Sequence, residues 1–298
     1  MIVRLRAWSI LIIMGMGWGL TFSLGRIAAV GGVHPLSITF WEVAVAAILL
    51  VAFSVAGRRR IPVSGELVLL YIAAGLLGLV LPATIFYYAA AHAPAGVLSI
   101  CVAILPILTF VLAALLGREV FILARVAGIF LGTGAIILLV GPEQSLPDPA
   151  QVPWVLFCLL APVCYAALNI MLDCWTPRGA TPFATTVGMF VASAVIMIPI
   201  LYATGTFVSL GWPWGEVEWS MFGLGFIAAV AFAMYLHLIE TAGPVFTSQT
   251  ANLVTLFGVV WGIVIFGEQN SIWVWLSLAT MMVALTLVAP RQKLASMT

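Results

Sequence analysis

Ten apolar stretches follow one another along this chain of 298 residues and constrain its fold more than any other feature. A helix needs about 20 apolar residues to cross the hydrocarbon core of a bilayer, so each stretch predicts one membrane-spanning helix. Most are separated by short turns containing Gly, Pro or a charge, which leaves no room for an extramembrane domain. The stretches are 7–30, 37–56, 66–91, 95–116, 121–140, 152–173, 183–204, 219–241, 245–266 and 271–289.

The composition excludes several classes of protein. Hydrophobic residues make up 64% of the chain and charged residues only 7%, whereas soluble proteins carry about a quarter of charged residues. A net charge of +1 with scattered basic residues excludes nucleic acid as a partner. The single lysine, Lys293, excludes a phosphate-binding loop and hence ATP hydrolysis. The spacing of the His and Cys residues predicts no metal site, no disulfide and no cofactor.

The basic residues predict the orientation in the membrane. A cytoplasmic N-terminus places ten of them on the cytoplasmic side and leaves only Arg26 near the opposite face, which is a strong positive-inside pattern. An even number of crossings then returns the C-terminus to the cytoplasm. The ten residues are Arg4, Arg6, Arg58, Arg59, Arg60, Arg118, Arg125, Arg178, Arg291 and Lys293.

An internal repeat divides the chain into two halves. A shift of 150 residues places Gly75 on Gly225, Pro94 on Pro244 and Gly117 on Gly267, and the first helices match at a shift of 147. Each half has five spans, an odd number, so the second must enter the membrane from the opposite face. We expect repeats at 1–140 and 152–290, a periplasmic connector at 141–151 and a cytoplasmic tail at 291–298.

These features resemble the EamA-type branch of the drug/metabolite transporter superfamily. The matching segments are WGLTF at 18–22, PILTFVLAALLGRE at 106–119 and the stretch 243–268, which ends in FGE. The resemblance implies an all-α integral membrane protein of ten helices, with two inverted five-helix repeats around a central cavity. It also implies a cavity lined mainly by helices 1, 3, 4, 6, 8 and 9, and export of small metabolites.

Among such proteins, the chain is most similar to bacterial amino-acid exporters, including exporters of aromatic amino acids. We therefore expect alternating-access export of amino acids across the inner membrane by a monomer or weak homodimer, with the lipid bilayer and a small-molecule substrate as partners. Export of hydrophobic or cationic drugs, a membrane-embedded enzyme and a channel remain alternatives. Relatives often carry an Arg early in the second helix, where this chain has Trp41 and Glu42.

Four charged or titratable residues are candidates for gating or coupling. Arg26 and Glu42 lie at the same depth on adjacent helices, so we expect them to form an ion pair, either a structural pair or an outer gate or anchor for a substrate carboxylate. His237 and Glu240 share one helix face and are either interfacial groups or a proton-coupling pair. Asp173 near Arg178 is most simply a terminal charge, and Glu119 and Glu268 are expected in turns or caps.

Polar and aromatic side chains inside the predicted helices are candidates for substrate binding. Amides and hydroxyls without partners are costly in hydrocarbon, so these groups must face protein or water. They either join helices by hydrogen bonds or line the cavity, where aromatic walls and amides suit an amino acid. The candidates are Trp18, Thr21, Tyr87, Tyr88, Tyr165, Asn169, Tyr235, Ser248, Gln249 and Asn252.

Prolines and glycines predict bends and close contacts. Prolines inside helices remove a backbone hydrogen bond, so we expect kinks, either hinges or static bends, at Pro82, Pro106, Pro162 and Pro199. Small residues four apart, as at Gly15 and Gly19, let helices approach closely within the bundle.

Overall fold

A computed structural model describes residues 2–118, 123–142, 145–247 and 249–288 of the chain. Over these residues every regular element is helical, and ten apolar helical stretches account for nearly all of them. This confirms the predicted all-α class and the number of spans. We number these stretches α1 to α10 in chain order.

The first five stretches belong to the first repeat. Four of them are at least 21 residues long, and each of the five is apolar enough to cross a membrane. They are α1 Ile2–Val30, α2 Pro35–Ala56, α3 Gly65–Ala90, α4 Ala95–Leu115 and α5 Leu123–Val140.

The second repeat supplies the other five. The last two have 17 residues each, near the lower limit of about 17 residues for a span. A four-residue helix, Pro244–Thr247, precedes α9. The five are α6 Pro149–Cys174, α7 Pro182–Thr204, α8 Glu216–Ala242, α9 Thr250–Phe266 and α10 Ile272–Val288.

Local sequence explains where several helices begin and end. The hydroxyl of Thr181 accepts a hydrogen bond from the Ala184 amide, and Pro182 follows at the first helical position, so α7 starts there. Gly205 ends the same helix in the left-handed conformation, at φ 65°, which a residue without Cβ adopts at little cost.

Three of the four predicted proline kinks coincide with interruptions of a helix. A π-helical turn, Leu76–Val80, ends two residues before Pro82 in α3. Breaks between Ala95–Val102 and Leu105–Leu115, and between Val152–Cys158 and Leu160–Cys174, lie just before Pro106 and Pro162. Proline lacks the N–H that would bond to these preceding turns. Pro199, by contrast, lies inside an uninterrupted α7.

Helix packing repeats the internal symmetry of the sequence. In the first half α1 packs on α8 and α9, and in the second half its equivalent α6 packs on α3 and α4. The contact of α2 with α8 is likewise matched by that of α7 with α3, while α5 packs on its own equivalent α10. We call the end of the bundle where α1 begins the near end, and the end where α1 finishes the far end.

The aligned glycines occupy equivalent places. A Cβ on Gly75 of α3 would lie 2.5 Å from Ser193 Oγ on α7, and one on Gly225 of α8 would lie 2.5 Å from Val45 Cβ on α2. The two glycines therefore allow equivalent helix pairs to approach, α3 with α7 and α8 with α2, each of which joins the two halves. Gly15 and Gly19 also pack inside the bundle, since their Cβ atoms would lie 2.5 Å and 2.8 Å from side chains of α9.

Candidate functional site

The first group of predicted site residues surrounds a carboxylate. Glu42 on α2 accepts a hydrogen bond of 2.5 Å from the Tyr87 hydroxyl on α3, and the Tyr165 phenol on α6 lies within electrostatic reach of it. Two glycines position these groups. A Cβ on Gly225 would lie 2.7 Å from the Glu42 carbonyl, and one on Gly25 would lie 2.5 Å from the Tyr87 ring. We call Glu42, Tyr87 and Tyr165 the carboxylate group.

The predicted ion pair between Arg26 and Glu42 is wrong. Arg26 Nη1 lies 3.1 Å from Glu268 Oε1 and donates a second hydrogen bond of 3.0 Å to the Ala93 carbonyl. The cause is helix packing: α1 lies mainly against α8 and α9, so its arginine meets the end of α9 rather than the next helix in sequence. Within the described residues Glu42 forms no ion pair.

Glu268 ties three segments together at the far end of the bundle. Its carboxylate accepts hydrogen bonds from the amides of Ala95 at 2.8 Å and Gly96 at 3.2 Å, and therefore caps α4 as well as neutralising Arg26. The Arg26 guanidinium also lies 5.0 Å from the centre of the Phe266 ring. Only 7% of the Glu268 side chain and 24% of the Arg26 side chain are exposed.

A second ion pair lies at the near end. Arg118 Nη1, just after α4, is 2.6 Å from Asp173 Oδ2 near the end of α6. The sequence suggested only a terminal charge beside Arg178, so Arg118 is a partner that sequence reasoning missed. This pair is open to solvent, with 45% of the arginine and 61% of the aspartate side chain exposed.

The second group combines aromatic rings. Trp18 on α1 contacts Phe232 edge-on with ring centres 5.3 Å apart, and Tyr235 on the same helix as Phe232 at 5.8 Å. Thr21 donates a 2.6 Å hydrogen bond to the carbonyl of Trp18, so its hydroxyl is satisfied within its own helix. Phe232 was not a predicted site residue because phenylalanine carries no polar signal in an apolar helix.

The third group consists of two amides at the start of α9. Asn252 Nδ2 donates a 3.0 Å hydrogen bond to Gln249 Oε1. The other side-chain atom of Asn252, Oδ1, is buried and accepts no hydrogen bond from the described residues. A buried acceptor without a donor is costly, so this amide has capacity for a polar ligand or a water molecule.

One face of α1 connects the aromatic ring group to the carboxylate group. Trp18 and Gly25 are seven residues apart, which places them on the same face of the helix and about 10 Å apart along its axis. Trp18 meets Tyr235 on this face, and Gly25 meets Tyr87. The two groups therefore lie along one line through the bundle.

The remaining candidates lie apart from these groups. Tyr88 bonds to His34 at the far end, with 3.2 Å between the hydroxyl and Nε2, and Asn169 donates to Thr109 at 3.2 Å on an exposed part of α6. His237 and Glu240 are both exposed, and no hydrogen bond or ion pair joins them in the part of the chain that the structure describes. Ser248 lies outside the described residues.

This arrangement is suited to binding a small molecule. In the described ranges no three His, Cys, Asp or Glu side chains are grouped so that they could hold a metal ion. The site offers one carboxylate, phenols, aromatic faces and amides, which together can bind a small molecule that carries an ammonium group and an apolar part.

Comparisons with known proteins agree with this architecture. The sequence matches the EamA-like transporter family twice, over residues 6–141 and 152–289. No curated protein matches the chain. One solved structure, described only as the crystal structure of a protein, is 18% identical, covers 94% of this chain and 98% of its own, and superposes with a TM-score of 0.63. At that identity the likeness concerns the fold. The two family matches cover both repeats, and the chain therefore belongs to the EamA-like transporter family.

Proposed function

We propose that this membrane transporter exports small ammonium-bearing metabolites, above all amino acids including aromatic ones, across the bacterial inner membrane. The observation that carries the proposal is Glu42, a carboxylate inside the bundle that is bonded to Tyr87 and paired with no cation among the described residues. An intramembrane carboxylate is costly when it is alone, and a substrate ammonium group would supply the missing charge.

The amides of α9 offer a second, separate polar contact along the substrate path, because Leu253, the neighbour of Asn252, packs on Gly15, about 15 Å along α1 from Gly25 and the carboxylate group. The Gln249 side chain can donate N–H bonds to a substrate carboxylate, and the open acceptor of Asn252 can take a substrate N–H. Trp18 and Tyr235 offer aromatic faces to an apolar substrate side chain. Tyr165 would border the ammonium, whereas Tyr88 and Asn169 would lie along the path towards the far and near ends.

The transport cycle would use the two inverted halves. Because the sequence has no nucleotide-binding loop, we propose a secondary transporter that is driven by gradients and exposes one site alternately to the two faces. The distribution of Arg and Lys supports a cytoplasmic near end, with both termini in the cytoplasm and the far end facing the periplasm.

A matched set of three compounds tests the substrate class. Phenylalanine has both charged groups, phenethylamine has only the ammonium, and 3-phenylpropionate has only the carboxylate. The protein is reconstituted into ATP-free vesicles, and counterflow of each labelled compound is measured. We expect saturable counterflow of phenylalanine and none of 3-phenylpropionate. Absence of phenylalanine counterflow, or counterflow that appears only after ATP is added, would contradict the proposal.

A second candidate function is export of hydrophobic cations. It is favoured by the engagement of Arg26 with Glu268, since no described basic residue is then free beside the carboxylate group to meet a substrate carboxylate. Phenethylamine separates the two functions. Counterflow of phenethylamine that equals or exceeds that of phenylalanine would favour the cation exporter.

A further inference from the structure

Two ion pairs join the halves of the molecule, one at each end. At the far end Arg26 of the first half meets Glu268 of the second, and at the near end Arg118 of the first half meets Asp173 of the second. In both places the first repeat supplies the cation and the second repeat supplies the anion. We call these the far latch and the near latch.

The internal symmetry makes the two latches equivalent. Gly117 and Gly267 match at the shift of 150 residues, and both have left-handed backbones, with φ of 69° and 64°. The next residues, Arg118 and Glu268, therefore leave α4 and α9 in the same way. Their partners also correspond, because the shift of 147 residues that aligns α1 with α6 places Arg26 on Asp173.

The two latches are therefore equivalent contacts at opposite ends of the bundle, and the acidic and basic partners are exchanged between the corresponding positions. The far latch joins the end of α1 to the end of α9, and the near latch joins the end of α6 to the end of α4, which are the equivalent helix pairs. All four charged residues occupy corresponding positions in the two repeats, which favours a shared role for the two ion pairs over chance.

The two latches differ in how firmly they hold. The far latch is largely buried, and its groups also bond to the Ala93 carbonyl and to the amides of Ala95 and Gly96. Both side chains of the near latch are exposed. Within the described residues this latch consists of a single contact between Arg118 and Asp173. Exposed pairs contribute little, because water and salt screen them, whereas removing one partner of a buried pair leaves a costly charge.

We propose that these ion pairs are the two gates of the transport cycle and that their inequality sets the resting state. The far latch holds the far end closed, the near latch releases first, and opening of the far end requires separation of Arg26 from Glu268. This goes beyond the proposed substrate, because it concerns which end opens and applies to any cargo of the site.

Distances between spin labels test the proposal in the full-length protein in lipid nanodiscs. The native cysteines are first replaced, except that Cys174 is kept in the variant that carries the near-end pair, and one label pair is placed at Val30 and Ile272 of the far end, both exposed. A second pair is placed at Leu116 and Cys174 of the near end, also both exposed. Each pair spans the two halves, so each reports whether its end is open.

Arg26→Gln breaks the far latch but leaves Glu268 to cap α4. We expect the ratio of far-open to far-closed molecules to rise about ten-fold or more, as for loss of a hydrogen bond to a charged group, while the near-end distance shortens. Glu268→Gln should act in the same direction. The matched control, Asp173→Asn, breaks the exposed latch and should leave the far-end distance unchanged.

Three results would overturn the proposal. The first is unchanged distances in both far-latch variants, and the second is a far-end change of equal size in Asp173→Asn. The third is broadening at both ends in Arg26→Gln, which indicates unfolding and would make the far latch a structural contact rather than a gate. None of these results depends on whether amino acids are the substrate.

Discussion

At the scale of single residues, Glu42 differs most from what its sequence neighbours suggest. Its depth in α2 matches that of Arg26 in α1, yet the two side chains turn to different partners, a tyrosine and a glutamate. The carboxylate is consequently available to a cation inside the bundle. Its hydrogen bond to Tyr87 fixes its direction, so its chemistry can be tested by changes that preserve side-chain size.

Glu42→Gln should remove recognition of the ammonium group. A hydrogen bond to a charged group contributes about 1.5–3 kcal/mol, so affinity for phenylalanine and phenethylamine should fall by roughly ten-fold or more. Binding is measured by scintillation proximity with purified protein. Tyr87→Phe keeps the ring and the carboxylate and is the matched control, for which we expect a smaller loss. Equal affinity in Glu42→Gln and the wild type would place the ammonium site elsewhere.

Gly25→Ala should disturb the carboxylate group by displacing the Tyr87 ring. The new methyl group would lie 2.5 Å from the Tyr87 ring, so the ring must move away from Glu42. Overpacking of this kind costs about 1–3 kcal/mol, and we expect a lower melting temperature together with slower transport. Gly134→Ala is the control, because a Cβ at Gly134 meets no atom within 4 Å. A similar melting temperature in both variants would show that Tyr87 has room to move.

At the scale of helices, the two latches follow from how helix ends are built. Glycines in the left-handed conformation follow α4 and α9 at corresponding positions. The side chain of the residue after each glycine forms an ion pair with a helix of the other half. At the far end that residue is also the cap of α4, so it acts as an acceptor for two amides. At the near end it is an arginine that makes one exposed ion pair.

Charge exchange should therefore succeed at one end and fail at the other. Arg118→Asp combined with Asp173→Arg restores the near pair, and we expect transport close to that of the wild type. Arg26→Glu combined with Glu268→Arg restores the charges, but an arginine cannot accept from the amides of Ala95 and Gly96. Each amide left without a partner costs about 1–3 kcal/mol, so this double variant should remain impaired.

Vesicle counterflow and thermal melting of the two double variants measure the difference, with the four single variants as references. Rescue at the far end equal to that at the near end would mean that charge alone, and not capping of α4, holds the far latch.

The prolines show what a local pattern can and cannot predict about a helix. Each removes one backbone N–H, and in three helices the chain responds with a π turn or a break just before the proline. Pro199 has the same local chemistry in a continuous helix. No pattern within α7 distinguishes it from the three interrupted helices.

At the scale of the whole molecule, the two inverted halves give the bundle a near end and a far end, and its orientation in the membrane decides which of them faces the cytoplasm. The ratio of basic residues predicts that the near end does. Suitable label sites are exposed positions at the two ends of the bundle. Ser145 of the connector is only 1% exposed and is unsuitable, whereas Ala150 nearby is exposed.

Labelling in intact cells tests this orientation. In a background without native cysteines, Ala150→Cys should react with a membrane-impermeant maleimide added outside. Val63→Cys, at a loop position that is 79% exposed at the near end, should react only after the cells are permeabilised. The opposite pattern would invert the proposed topology.

The amino-acid sequence by itself determined the all-α class, the ten spans, the two repeats and the glycines that correspond between them. These features depend on the hydrophobicity and length of each segment, which are local properties of the sequence. They determine the class because an apolar segment that spans a bilayer as a helix satisfies its own backbone hydrogen bonds. The same alignment contained the correspondence of Arg118 with Glu268, although the pairing itself was not predicted.

Only the tertiary structure decided which side chains meet. A position along a helix gives depth, but a partner depends on helix rotation and on which neighbour packs closest, and glycines such as Gly25 and Gly225 set those approaches. That is why Arg26 pairs with Glu268 across 242 residues of sequence while Glu42, on the adjacent helix, turns to Tyr87.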